Sequence, residues 1–115
     1  MTGPGRPARA ASPVAMCAAL ADDTRWEILC RVGEQALSAS ELAERVPVTR
    51  QAIAHHLAVL AEAGLVESAR EGRQLRYRAL GWRLTRLAAQ LDAVGRGWEH
   101  RLDRFRQIAE GRPER

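Results

Sequence analysis

The stretch SASELAERVPVTRQAIAHHLAVLAEAG, residues 38–64, decides the fold. Ser38 and Glu41 stand three apart just ahead of Leu42, the spacing of a capping box, in which a hydroxyl and a carboxylate each satisfy a backbone N–H at a helix start. Leu42 and Val46 then face inward on a helix of about two turns, and Pro47, which lacks an N–H and clashes with a continuing helix, stops it. After Pro47-Val48, Thr49 is the next N-cap and opens a helix to about Ala63, where Gly64 ends it. Ile53, Leu57 and Leu60 share one face of that helix at helical spacing. Two helices joined by so short a turn form a helix-turn-helix.

Downstream the period of the pattern changes to two. Leu65 to Arg70 and Arg73 to Leu80 alternate around Glu71-Gly72, which reads as a β-hairpin whose two-residue turn ends in glycine. Leu75, Tyr77 and Ala79 are expected on a packed face, with Gln74, Arg76 and Arg78 on a wet, basic one. From Trp82 to about Glu110 a long helix carries Leu84, Leu87, Leu91, Val94, Trp98, Leu102, Phe105 and Ile108 at steps of three and four, a coiled-coil-like seam. Gly95 and Gly97 weaken its middle, where a kink or a close helix contact is expected.

Upstream, Ser12-Pro13 supplies an N-cap and a first-turn proline for a short helix over Val14–Ala21. Asp22 caps the next helix, about Asp23–Gly33, with Ile28, Leu29 and Val32 on one stripe. Residues 1–11 lack apolar periodicity and read as a disordered arm; residues 12–110 form the domain, its last helix beginning at about residue 82, and 111–115 are a tail. The expected fold is mainly α with a β-hairpin wing, in the order α-α-α-α-β-β-α, pairing through its terminal helices. A core built from roughly 95 residues is modest, which favours a second copy covering leftover apolar surface.

Charge is unevenly placed along the 115 residues, whose net charge is +4. Residues 14–46 hold three Arg against six acidic side chains, net −3, whereas residues 47–86 hold seven Arg against three Glu, net +4. The basic half is the candidate polyanion surface. All 18 basic residues are Arg, a side chain that grips phosphate and guanine with paired donors. The longest apolar run, Val14 to Ala21, is far shorter than the roughly 20 residues of a membrane span. Two cysteines, Cys17 and Cys30, are too few to staple a secreted fold and are expected to be small, buried and inert. A soluble, cytoplasmic protein is expected.

The order of elements and the wording of Ala19-Leu20-Ala21-Asp22-Asp23-Thr24-Arg25, Ile28-Leu29, Ser40-Glu41-Leu42-Ala43, Thr49 to Leu57, Leu60 to Val66, and Arg70-Glu71-Gly72-Arg73 leading to Tyr77 resemble the ArsR/SmtB-like winged-helix repressors over about residues 14–110. Asp23 stands where a proline is common in that family, and Ala54-His55 where a Ser-Lys pair is common. The resemblance implies an autoregulatory repressor that binds double-stranded operator DNA as a homodimer. Its last helix, with Trp98-Glu99-His100-Arg101-Leu102-Asp103, looks like a branch without a metal box. The inducer is open. A winged-helix protein-interaction module without DNA affinity, or a metal- or thiol-responsive sensor of the same fold, are the alternatives.

On this reading Gln51, Ala54, His55 and Ala58 point away from the buried stripe and face the major groove. Gln51 and His55 supply hydrogen bonds to base edges and Ala54 a contact to a thymine methyl. Thr49 and Arg50 sit at the helix N-terminus, where free amides favour a phosphate, and His56 lies to the side, nearer the core. Arg70, Arg73, Arg76 and Arg78 are the wing candidates, and Leu84, Leu87, Leu91, Val94, Trp98, Leu102 and Phe105 the dimer seam. His55-His56 has no nucleophile, carboxylate partner or glycine-rich loop beside it, so no catalysis is expected. His100, Asp92 and Asp103 are not spaced as a metal set, and neither metal nor cofactor is expected.

Overall fold

A computed structural model describes residues 12–111; the arm expected over 1–11 and all but Gly111 of the expected tail lie outside the described residues. Helix α1 spans Pro13–Ala19, α2 Asp23–Glu34, strand β1 Leu37–Ser38, α3 Ala39–Arg45, α4 Arg50–Glu62, β2 Val66–Glu71, β3 Gln74–Ala79 and α5 Gly81–Ala109.

Each of the first four helices starts on a side-chain cap. Ser12 Oγ accepts from Ala15 N at 3.1 Å, Asp22 Oδ2 from Arg25 N at 3.0 Å, and Thr49 Oγ1 from Ala52 N at 3.1 Å. The capping box at α3 is complete: Glu41 N donates to Ser38 Oγ at 3.1 Å and Ser38 N donates to Glu41 Oε1 at 2.8 Å. A hydroxyl cap such as those of Ser12, Ser38 and Thr49 is worth about 1 kcal/mol.

The chain divides into two compact units, one ending at Leu84 and one beginning at Thr85. In the first unit α3 packs on α4, α2 packs on α4 and under β3, and α1 reaches α4. Met16, Ile28, Leu42, Ile53, Leu57, Leu60 and Leu65 are fully buried there. At about 1.5–3 kcal/mol for each large apolar side chain, this cluster is what holds α4 in place. Gly64, with φ +81°, ends the α4 turn in the left-handed region that glycine enters freely.

Strand β1, which sequence periodicity does not reveal, completes an antiparallel sheet of order β1-β3-β2. Leu37 pairs with Tyr77 and Ser38 with Arg76, while β2 and β3 pair from Val66↔Ala79 to Glu71↔Gln74. The hairpin turn is therefore Gly72-Arg73, one residue later than expected, with Gly72 at φ +65° in the first central position, as in a type II′ turn. The expected packed face of β3 holds only at its base: Leu75 is exposed because the ribbon runs on past β1 toward its tip. Gly33, expected at the end of α2, lies inside it, and a Cβ there would meet Ala79 Cβ at 3.9 Å where α2 passes beneath β3.

Both cysteines are exposed, not buried as expected. The cause is helical phase: Met16 and Ala19 take the inner side of α1, and Ile28, Leu29 and Val32 that of α2, which turns Cys17 and Cys30 outward.

The second unit is the body of α5. Helical structure continues unbroken through Gly95 and Gly97, and nothing lies within 4 Å of a Cβ built at either. Leu87 is buried, but Leu91, Val94, Trp98, Leu102, Phe105 and Ile108 are exposed, Val94 by 73 % and Phe105 by 67 %. Asp92–Arg96 and Asp103–Arg106 ion pairs lie along the same helix. Among the described residues no helix is long and apolar enough to cross a membrane, and no group of three His, Cys, Asp or Glu side chains could hold a metal ion.

Candidate nucleic-acid interface

Helix α4 is clamped from one side by its own buried stripe. Ile53, Leu57 and Leu60 are essentially without solvent contact, so residues on the opposite side must face outward. Arg50, Gln51, Ala54, His55 and Ala58 are all exposed, as is the cap residue Thr49. The resulting strip is short-chained in its middle and polar at its start, a shape that lets a helix lie close against a nucleic-acid groove. The structure thus brings Gln51, Ala54 and His55 onto one accessible strip, with Thr49 and Arg50 exposed at the N-terminal end of the helix.

His56 is different. It is half-buried, its ring centroid 5.8 Å from that of His55 and its Nδ1 3.1 Å from Arg25 Nη1 in α2. Arg25 also donates from Nε to the Ala19 carbonyl, so it links the end of α1, the start of α2 and the middle of α4. Asp22 is held below the usual carboxylate range, chiefly because it accepts the Arg25 backbone N–H, with the charge of Arg25 adding to the effect against partial desolvation. Sequence reasoning missed Arg25: its partner is 31 residues away and no local pattern announces the contact.

The wing divides its arginines into two kinds. Arg76 donates to Glu71 Oε1 at 3.0 Å, to Glu41 Oε2 at 3.1 Å and to Gln74 Oε1 at 2.8 Å, while its Nε is buried without an acceptor. Arg78 pairs with Glu67 at 2.8 Å. Arg70 and Arg73, at the tip, are exposed, and their side chains make no ion pair or hydrogen bond among the described residues. Glu41 is held below the usual carboxylate range, first by the Ser38 backbone N–H and then by the charge of Arg76. One carboxylate thus caps α3 and anchors the wing.

Among known proteins, a family described as Helix-turn-helix domain matches residues 20–69. The chain is similar to the structure of an ArsR-like transcriptional regulator from Rhodococcus sp. RHA1, with 52 % identity, 84 % of this chain and 92 % of that one covered, and a TM-score of 0.79. It is also 36 % identical over 97 residues to the HTH-type transcriptional regulator Rv2034 of Mycobacterium tuberculosis, covering 84 % of this chain and 88 % of that protein. The chain belongs to the ArsR-like family of winged helix-turn-helix transcriptional regulators.

This ArsR-like chain is further similar to the homodimeric winged helix-turn-helix DNA-binding domain Mb0332 of Mycobacterium bovis, with 29 % identity, 83 % of this chain and 90 % of that one covered, and a TM-score of 0.61. Its match spans 62 % of the transcriptional activator HlyU of Vibrio cholerae and 64 % of the regulator CmtR of Mycobacterium tuberculosis, under two thirds of either length. The family consists of regulators, not enzymes, and the ArsR-like fold accounts for the wing, the capped α3 and the exposed strip on α4 together.

Proposed function

We propose that this ArsR-like regulator is a cytoplasmic, autoregulatory repressor that binds double-stranded DNA at a palindromic operator as a homodimer. The observation that carries the reading is the strip on α4: Gln51 and His55 exposed on either side of Ala54, with nothing from the rest of the described chain covering them. Gln51 and His55 read base edges, Ala54 meets a thymine methyl, and the start of α4 with Thr49 and Arg50 seats a phosphate. Arg70 and Arg73 contact the backbone or minor groove beside each half-site, free of competing carboxylates, whereas Arg76 and Arg78 serve mainly to stiffen the wing. The apolar face of α5, from Leu91 to Phe105, meets its counterpart in a second copy, and the homodimeric state named for Mb0332 supports that pairing.

A gel-shift of the purified protein on the DNA upstream of its own gene, at two salt concentrations, tests the reading. Binding that competes poorly with unrelated DNA and weakens steeply with salt is expected. Indifference to every fragment at low salt would remove DNA as the partner.

A further inference from the structure

Arg25 ties three helices together with one side chain, and its chemistry dictates the state of the ring it touches. A guanidinium has five N–H donors, no acceptor, and keeps its charge at any pH a protein tolerates. Of the two atoms 3.1 Å apart, Arg25 Nη1 must therefore donate and His56 Nδ1 must accept. An accepting Nδ1 carries no hydrogen, so the neutral ring holds its proton on Nε2. Among the described residues Nε2 has no partner, and it is not one of the buried polar atoms left without one, so that edge of the half-buried ring meets solvent.

The position of that N–H matters. His56 lies on α4 between the buried stripe and the exposed strip of Gln51, Ala54 and His55. When a helix enters a major groove by its exposed strip, residues on its flank approach the groove wall, which is sugar and phosphate. An Nε2–H attracts a phosphate oxygen, whereas the other tautomer would turn a lone pair toward it. The charged groups nearby are Arg25, which favours an anion, and Asp22, whose carboxylate already accepts the Arg25 backbone N–H. His55 is the other titratable neighbour, and it is exposed.

We propose that Arg25 is a positioning residue for DNA binding, fixing His56 as an Nε2–H donor to a backbone phosphate on the flank of α4. This rests on the DNA-binding reading above. The test combines NMR of the imidazole nitrogens of His56 with a double-mutant cycle of Arg25→Ala and His56→Ala, affinities being measured on the upstream DNA fragment. Three results are expected. His56 in the wild-type protein is the Nε2–H tautomer. Arg25→Ala weakens binding about tenfold, the scale of a charged hydrogen bond, but has no further effect once His56 is Ala. His56→Gln, whose amide places an N–H near the Nε2 position, stays within about twofold of wild type and is insensitive to Arg25→Ala.

An Nδ1–H tautomer in the wild-type protein, or losses from Arg25→Ala and His56→Ala that simply add, overturns the proposal while leaving DNA binding intact. A wild-type protein that binds no DNA overturns both. The tautomer measurement needs no variant, so an Nδ1–H ring overturns the proposal even if Arg25→Ala does not fold, and in that case His56→Gln against His56→Ala still reads the phosphate contact.

Discussion

Individual side chains in this regulator show how one residue type is put to different uses. Four wing arginines look alike in the sequence, yet Arg76 and Arg78 find Glu41, Glu71 and Glu67, and only Arg70 and Arg73 remain unpaired. A guanidinium already paired with a carboxylate must give up that partner before it can neutralise a phosphate. Arg73→Ala is therefore expected to weaken binding to all DNA sequences alike and to flatten the plot of log affinity against log salt by about one unit; an unchanged slope would place Arg73 outside the interface. Gln51→Ala should behave otherwise, costing about 1–3 kcal/mol on the operator and relaxing base preference at one position per half-site, with little change on unrelated DNA. Competition binding with single-base operator variants separates the two behaviours.

At the level of elements, much was legible because helix starts are local. Ser12, Asp22, Ser38 and Thr49 each cap a helix within three residues of themselves, and the observed caps are those the spacing announces. What could not be read depends on distant partners. Strand β1 exists only because Leu37 and Ser38 find Tyr77 and Arg76, and the Arg25–His56 contact spans 31 residues. The turn was misplaced by one residue because glycine suits either central position of a two-residue hairpin loop, and only the pairing Glu71↔Gln74 decides between them.

The capping box at α3 gives an acid-sensitive joint. Glu41 and Asp22 both titrate below their ordinary range, so their hydrogen bonds contribute stability that is present above the unfolded-state values, about pH 4, and is lost as pH falls through the lower folded-state values. Glu41→Gln should flatten the decline of Tm on going from about pH 6 to about pH 3, as read by circular dichroism melts. Ser38→Ala should cost about 1 kcal/mol at neutral pH, with the wing loosened as well, since the same carboxylate holds Arg76.

At the scale of the whole molecule, the apolar face of α5 is the surface proposed to pair two copies. Leu91, Val94, Trp98 and Phe105 are all more than half exposed in the single chain, as a face that awaits a partner would be. The periodicity of that seam was plain in the sequence, and so was the expectation that a second copy covers it; that Leu87 is already buried within the single chain was not. Trp98→Glu is expected to give a monomer by light scattering, to remove the dependence of Tm on protein concentration, and to lower operator affinity by about a hundredfold or more through loss of the paired half-site. A Trp98→Glu protein that remains dimeric would move the interface elsewhere.

The strand order β1-β3-β2 also leaves the outer side of β2 without a neighbour among the described residues. Such a rim of unmet amides and carbonyls is a template for fibrous growth. Glu67, Arg70 and Glu71 put charge on half of its six residues, so a foreign ribbon laid alongside must bury or repel ions. Valine at positions 67 and 70 would lift that guard, and the expected outcome is turbidity and dye-binding filaments from a protein that otherwise stays dispersed at high concentration.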